Sequence, residues 1–444
     1  MVISQPVEAS PVEIRYRVTD LGALGGPLAN AFAINNHGVI VGQAEIVIGE
    51  IQSTNAFVWQ AGSMSDLGSL NTFGTGSVAV AINEFGEIVG AALAPDPDFE
   101  NALSSRPFLW SASTGITQIR PLDDVDGLGM AMVINDLGEV AGFLGDTGFR
   151  WSVSAGGLEL PSLPGAPFPI GEPHAINNPG EIVGRAMSES GFVVPALWTS
   201  ENQVIVLPAV GPRGTGWARD INDRSQIVGE AEDEVGRTAP VLWQNDSIEI
   251  IPFLDEPGRD WGSAEDINNL GTIVGWDGSV SVNGVPAKGW VRYPDGRKIA
   301  LNELIIDPEG EWDIQVPLGI NDLGQIVGIA VRLDDAGVPI PGVAFLLDPV
   351  PAVECEFDLS NDGRVDGDDM FVLRRALGTT RENADLNGDG RVDHRDVRRF
   401  LIGRARSSCG AIDDLTVEGL KFSDRTGLSV APTGEKRPLE TFLR

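Results

Sequence analysis

The chain has 444 residues, and its 64 acidic against 31 basic side chains give a formal net charge of -33. That balance excludes nucleic acid as a partner, because such affinity comes mainly from Lys and Arg on phosphates, and no run of about 18 apolar residues is present to span a membrane. A hydrophobic share of 42% with 55 glycines suits a folded, turn-rich β protein, and the length exceeds one ordinary compact domain unless that domain is a repeat array.

Residues 1–13 read as an N-terminal extension without the basic end and apolar stretch of a secretory signal. After them a phrase begins to recur: AFAINNHGVIVG at 31–42, VAINEFGEIVG at 80–90, HAINNPGEIVG at 174–184 and GINDLGQIVG at 319–328. Its Ile-Asn pair stands at Asn35, Asn83, Asn135, Asn177, Asn222, Asn268 and Asn321, with steps of 48, 52, 42, 45, 46 and 53 residues. A Gly follows three residues later in every copy but one, where Ser225 replaces it, and an apolar run closed by Gly comes next. Asn bonds its own backbone and Gly accepts positive φ, so the phrase predicts a strand, a sharp turn and a second strand.

A third segment recurs as AFVW (56–59), PFLW (107–110), GFRW (148–151), PALW (195–198) and PVLW (240–243), then as KGWV (288–291) and AFLL (344–347). A fourth follows a short turn, as in MSDLGSL at 64–70 and IEIIPFL at 248–254. Four strands at this period describe a propeller blade, whereas the turns of a parallel β-helix repeat at roughly 20–30 residues. The seventh unit ends at Leu347 without a fourth strand, and YRVTDLGAL at 16–24 is the spare strand that supplies it. Closing the ring in this way leaves no open edge. The expected fold is therefore an all-β, seven-bladed β-propeller over residues 14–350, closed by the N-terminal strand. Trp59, Trp110, Trp151, Trp198 and Trp243 hold a fixed place in an apolar strand and are expected in the core.

The ring carries no nucleophile elbow, zincin motif or phosphate loop. His37 and His174 occupy repeat positions that hold ordinary residues in other copies. A non-catalytic ring that binds a polysaccharide or a surface protein is expected. Asp220 and Asp266 replace the Ala or Val of most copies, and Trp217, Trp261 and Trp312 fall outside the repeated Trp register. These five form the expected ligand face. The alternative is a propeller hydrolase or lyase acting on polysaccharide through a pair of carboxylates.

Beyond residue 350 the chemistry changes. DLSNDGRVDGDD (358–369) and DLNGDGRVDHRD (385–396) are twelve-residue loops of one design. Oxygen ligands stand at loop positions 1, 3, 5, 9 and 12: Asp358, Ser360, Asp362, Asp366 and Asp369, then Asp385, Asn387, Asp389, Asp393 and Asp396. Position 7, Arg364 or Arg391, offers its backbone carbonyl, and Gly363 or Gly390 permits the sharp turn at position 6. Ca²⁺ takes six to eight hard oxygen ligands on such loops, so two ions are expected. A helical segment follows each loop, MFVLRRALG at 370–378 and VRRFLIGRA at 397–405.

The repeated pattern of the ring resembles the HAF family of extracellular repeats over residues 14–350, which implies a secreted protein of unassigned activity. Ser225, Pro179 and the missing Trp in the last two copies depart from it. The duplicated loop–helix, with Asp rather than Glu at position 12, resembles the type I dockerin family over residues 354–410. That resemblance implies an all-α, dockerin-like module at 351–410 and calcium-dependent docking to a cohesin-type partner. Docking would fall at Gly367, Asp368, Arg374 and Arg375, or at His394 and Arg395. Ser360 stands where the family has Asn or Asp. In a pseudo-symmetric loop–helix pair the two ends approach, so Cys355 and Cys409 are expected to form a disulfide, worth roughly 4 kcal/mol by chain entropy. An oxidising, extracellular or cell-surface location follows. Residues 411–444 show no periodicity and are expected to form a disordered tail.

Overall fold

The computed structural model describes residues 14–49, 51–71, 74–96, 102–122, 128–278, 286–306, 311–334, 336–350, 367–377, 384, 391–393, 395–397, 400, 420–421 and 429–430. The chain divides into two compact units, Tyr16–Pro349 and the segments on either side. Among the described residues the first unit consists of seven antiparallel blades. Blade one pairs Gly25–Ile34, Ile40–Ile48, Ile51–Gln60 and Ser63–Asp66 in chain order. Blades two to six repeat this order over residues 77–118, 129–159, 171–206, 216–250 and 261–300.

Blade seven contains Trp312–Ile320, Ile326–Leu333 and Pro339–Val350, and its outer strand is Arg15–Asp20. The spare N-terminal strand thus closes the ring as its sequence predicts. One addition was not foreseen. Ile305–Ile306 pairs in parallel with the closing strand at Tyr16 and Arg17, capping an edge that would otherwise lie open.

The second strand of each blade opens on a pair of apolar residues because both of its faces are covered there by neighbouring blades. Ile40, Val41, Ile88, Val89, Ile182, Val183, Ile273 and Val274 are all fully buried. The Gly after Ile-Val does not end the strand, contrary to its reading as a closing residue. It lies inside the strand, opposite a β-bulge that recurs in every inner strand, as between Ala31 and Ala33 or Pro173 and Ala175. The bulge drives a carbonyl into the space a side chain would take: a Cβ on Gly184 would stand 2.0 Å from the Glu172 oxygen. Gly184→Ala is therefore expected to cost about 3 kcal/mol, as overpacking does, read as a lower urea midpoint at unchanged slope.

Of the register Trp residues, Trp59, Trp198 and Trp243 are buried as expected, whereas Trp110 and Trp151 are half-buried and pack against the core from its edge. Trp198 and Trp243 are buried and donate from Nε1 to the carbonyls of Pro161 and Pro208, at 2.9 and 2.8 Å. Blade six builds its core around an ion pair. Asp277 is fully buried and accepts from Lys298 Nζ at 2.8 Å, Trp290 Nε1 at 2.9 Å and the Leu254 N–H at 2.7 Å. Lys298 also lies over the Trp290 ring at 4.1 Å, and burial lowers its pKa to about 8 although Asp277 pulls it up.

In the second unit a helix spans Gly367–Ala376. Leu373 and Ala376 pack with Ala384, Val392, Val397 and Phe400 in a small buried cluster. Leu420–Lys421 pairs with Ser429–Val430 within the segment expected to be a tail. Cys355 and Cys409 lie outside the described residues.

Candidate functional site

The hairpin turns of the seven inner strands meet around the central channel. There the repeated Asn explains itself. Asn35, Asn83, Asn135, Asn177, Asn222, Asn268 and Asn321 are 3–5% exposed, which a side-chain amide tolerates only when its polar atoms are paired. Within its own turn, Asn135 Oδ1 accepts the N–H groups of Leu137 and Glu139, at 3.0 and 2.9 Å. One Nδ2 hydrogen goes to Glu139 Oε2 at 2.9 Å, and the other crosses to the next blade, to the Asn177 carbonyl at 3.1 Å. The same crossing bond runs from every blade to the next at 3.0–3.2 Å, and Asn321 returns it to Asn35. The result is a closed hoop of seven hydrogen bonds.

The residue after each Asn makes a second hoop nearer the solvent. Here the backbone N–H of one blade donates to the side chain of the next, from Asn36 to Glu84, Asp136, Asn178, Asp223, Asn269, Asp322 and back to Asn36, at 2.7–3.0 Å. Between the hoops lies a cavity of about 180 Å³ lined by the seven Ile-Asn-Xaa triplets. Its four carboxylates, Glu84, Asp136, Asp223 and Asp322, are interleaved with three amides. His37 Nδ1 lies 3.2 Å from Glu84.

Asp220 and Asp266 come together between blades five and six, and both serve the backbone. Asp220 Oδ2 and Asp266 Oδ1 accept the Ile267 N–H at 2.9 and 2.8 Å, and Asp266 Oδ2 accepts the Ile320 N–H at 2.6 Å. Asp266 holds its proton well above the usual carboxylate range because it is buried and hydrogen-bonded to Asp220.

Trp217 lies towards the other end of its inner strand, clamped between the guanidinium groups of Arg185 and Arg219 at 3.9 and 3.7 Å, with His174 edge-on at 4.5 Å. Its Nε1 is buried without a hydrogen-bond partner. Burial and these same two arginines push His174 down to about 3, so the imidazole is neutral. Arg219 reaches Glu230 at 3.4 Å and Glu265 at 4.0 Å. Burial raises Glu230, partly opposed by Arg219. Glu265 in turn accepts from Trp276 Nε1 at 2.8 Å, and Trp276 packs edge-on against Trp261 at 4.9 Å. Trp217 and Trp261 thus join one network across blades four to six. Trp312, in blade seven, sits against Arg332 at 5.9 Å.

Sequence reasoning missed Glu172, Arg185, Arg219, Glu230, Glu265 and Trp276. For Arg219 and Glu265 a signal was available at the bulge: the residue there is Phe32, Val80, Met132 and Leu318 in four blades, but His174, Arg219 and Glu265 in blades four to six. At the bulge position, polar side chains stand only in blades four to six. Among the described residues no group of three or more His, Cys, Asp or Glu is arranged to hold a metal ion.

Of the expected calcium ligands, Asp358, Ser360, Asp362, Arg364, Asp366, Asp385, Asn387 and Asp389 lie outside the described residues, as does His394. Gly367, Asp368 and Asp369 begin the described helix, on which Arg374 and Arg375 are exposed. The end of the second loop is visible. Asp396 is fully buried and accepts the Asp393 N–H at 2.7 Å, while Asp393 Oδ1 accepts the Arg395 N–H at 2.7 Å. Positions 9 and 12 are therefore drawn together, and the all-oxygen donor set fits a hard cation.

Residues 356–400 match the model of the dockerin type I domain. A dockerin domain therefore stands at this end of the chain, and such domains bind calcium and dock to cohesins. No curated protein matches the chain. Among solved structures, virginiamycin B lyase from Staphylococcus aureus is similar at 10% identity, covering 76% of this chain and 100% of its own, with a TM-score of 0.48. An acylaminoacyl peptidase from Pyrococcus horikoshii is similar at 12% identity, covering 72% of this chain and 51% of its own, with a TM-score of 0.43. Likeness at this level carries no argument about activity.

Proposed function

We propose that the chain is an extracellular docking protein, tethered through calcium and a cohesin-type partner, whose ring binds a polysaccharide or a surface protein without transforming it. The dockerin match at 356–400 carries this reading, because it falls on two loops with ten oxygen side chains at calcium spacing. The site then holds two Ca²⁺, with cohesin meeting Gly367, Asp368, Arg374 and Arg375 or the equivalent His394 and Arg395. The Cys355–Cys409 bridge would clasp the module, and membership of the HAF repeats is part of the same proposal. Trp217, Trp261 and Trp312, with the charged wall of blades four to six, are the ligand face.

A hydrolase would place two carboxylates about 5–10 Å apart. Asp220 and Asp266 hydrogen-bond to one another and to backbone N–H groups, which removes this pair from that role. The test is calorimetric titration of the stripped, non-reduced full chain with Ca²⁺, followed by a panel of type I cohesins. Two calcium sites and cohesin binding that chelator abolishes are expected. Cohesin binding indifferent to chelator, or absent across the panel, sinks the docking reading.

A further inference from the structure

The turn tips around the channel mouth carry a pattern that neither hoop requires. Two residues after the hoop Asn, Phe85, Leu137, Leu270 and Leu323 are 75%, 72%, 60% and 62% exposed. Pro179 is exposed at the same position, and the two remaining tips are His37 and Arg224. Five of the seven tips are thus apolar where a hairpin asks only for turn formers. They form two arcs, over blades two to four and six to seven. Inside the arcs lies the acidic well described above.

Outside them, at the same end of the ring, are the hairpins joining the third and outer strands. Antiparallel order places both sets of turns together. The outer set is mainly polar, with Ser113–Thr114, Ser154, Glu201–Asn202, Asn245–Asp246 and Asp295, and Val153, 79% exposed, is its apolar exception. An apolar collar bounded by a polar rim has the anatomy of a protein interface rather than of a solvated end.

We infer that this mouth docks a polypeptide that presents one Lys or Arg side chain from an apolar loop. The cation enters the well between Glu84, Asp136, Asp223 and Asp322, and the flanking apolar residues rest on Phe85, Leu137 and Leu323. Charge complementarity selects this occupant. A second copy of a chain carrying -33 brings acid to acid, and an anionic lipid surface is repelled for the same reason. A neutral sugar offers no cation. The surface is distinct from the Trp217 face and needs no calcium, so its failure and that of the docking reading are separable.

The test uses the full chain, calcium-loaded and chelated, with two fluorescein-labelled libraries of cyclic heptapeptides. One has Lys fixed at the centre and the other norleucine, each flanked by varied apolar residues. Fluorescence anisotropy should show the best Lys peptides binding at least tenfold tighter than their norleucine twins, with an advantage that shrinks in salt and survives chelation. The double variant Phe85→Ser/Leu137→Ser, at exposed tips, should weaken binding at least tenfold. Glu84→Gln, which keeps the acceptor for the Asn36 N–H and turns its other end to His37 Nδ1 but removes charge, should erase much of the Lys preference while Tm holds. Val338→Ser, on a turn at the opposite end, should change nothing. Equal affinity for Lys and norleucine peptides, no binding by either library, or indifference to the tip variants overturns the inference. So does self-association lost with Phe85→Ser, which would hand the collar to a second copy.

Discussion

Replacing Asn135 with alanine should lower the unfolding free energy of the ring by about 4 kcal/mol. The change strands the N–H groups of Leu137 and Glu139, which share its Oδ1, and removes the donor to the Asn177 carbonyl. Each buried polar group left unpaired costs about 1–3 kcal/mol, and the site is 4% exposed, so water replaces little. Asn135→Asp separates the two ends of the amide. It keeps the acceptor but turns the donor into an oxygen facing Glu139 and a carbonyl, so its loss should match or exceed that of alanine near neutral pH. Lowering the pH enough to protonate the new carboxyl should recover part of it. Urea unfolding followed by Trp fluorescence reads both variants. A loss below about 1 kcal/mol, the size of one ordinary hydrogen bond, would mean the hoop is decoration.

The second large effect lies at Asp277. Removing one partner of a buried pair leaves an uncompensated charge, typically at a cost of about 3–5 kcal/mol, and Asp277→Ala also orphans Trp290 Nε1 and the Leu254 N–H. The pH dependence follows from Lys298. Its folded pKa of about 8 lies below the ordinary lysine value of 10.5, so the unfolded chain binds the extra proton between them. Stability therefore rises as pH climbs from about 8 towards 10.5 and is lost on the way down. Without Asp277 the attraction that holds the folded value up is gone, and the lower end of that window should move towards neutral pH. Thermal unfolding of both proteins across this range would show it. Coincident pH profiles would mean that the carboxylate does not hold the ammonium.

The blades were legible because each is assembled from hairpins only a few residues long, so turn chemistry at Asn35–Gly38 and the apolar runs at Ile40–Gly42 announce them locally. Closure by Tyr16–Asp20 was legible by accounting, since the seventh unit lacked a strand. What Asn does across blades was not legible. Its crossing bond joins residues 42 to 53 apart along the chain and 286 apart at the closure, and a turn-forming Asn looks the same with or without it. The Gly of Ile-Val-Gly misled for a similar reason: the carbonyl that forbids a Cβ belongs to a bulge on another strand. Asp220 and Asp266 were found as departures from the repeat, but the N–H groups they hold across blades, on Ile267 and Ile320, lie 47 and 54 residues away, a pairing no local pattern marks. In the dockerin domain the expected ligands rest on spacing alone, because a twelve-residue loop would supply all its donors from one stretch of chain.

The hoop has one further consequence. Donor and acceptor sit on the same residue of every repeat, so the joint between blades seven and one is chemically the same as the six joints along the continuous chain. A repeat unit is in this sense interchangeable at its inner edge. A chain reopened between any two blades, with its old ends linked, would meet the same joint all the way round, and a duplicated or deleted unit would arrive with its half of the bond already written.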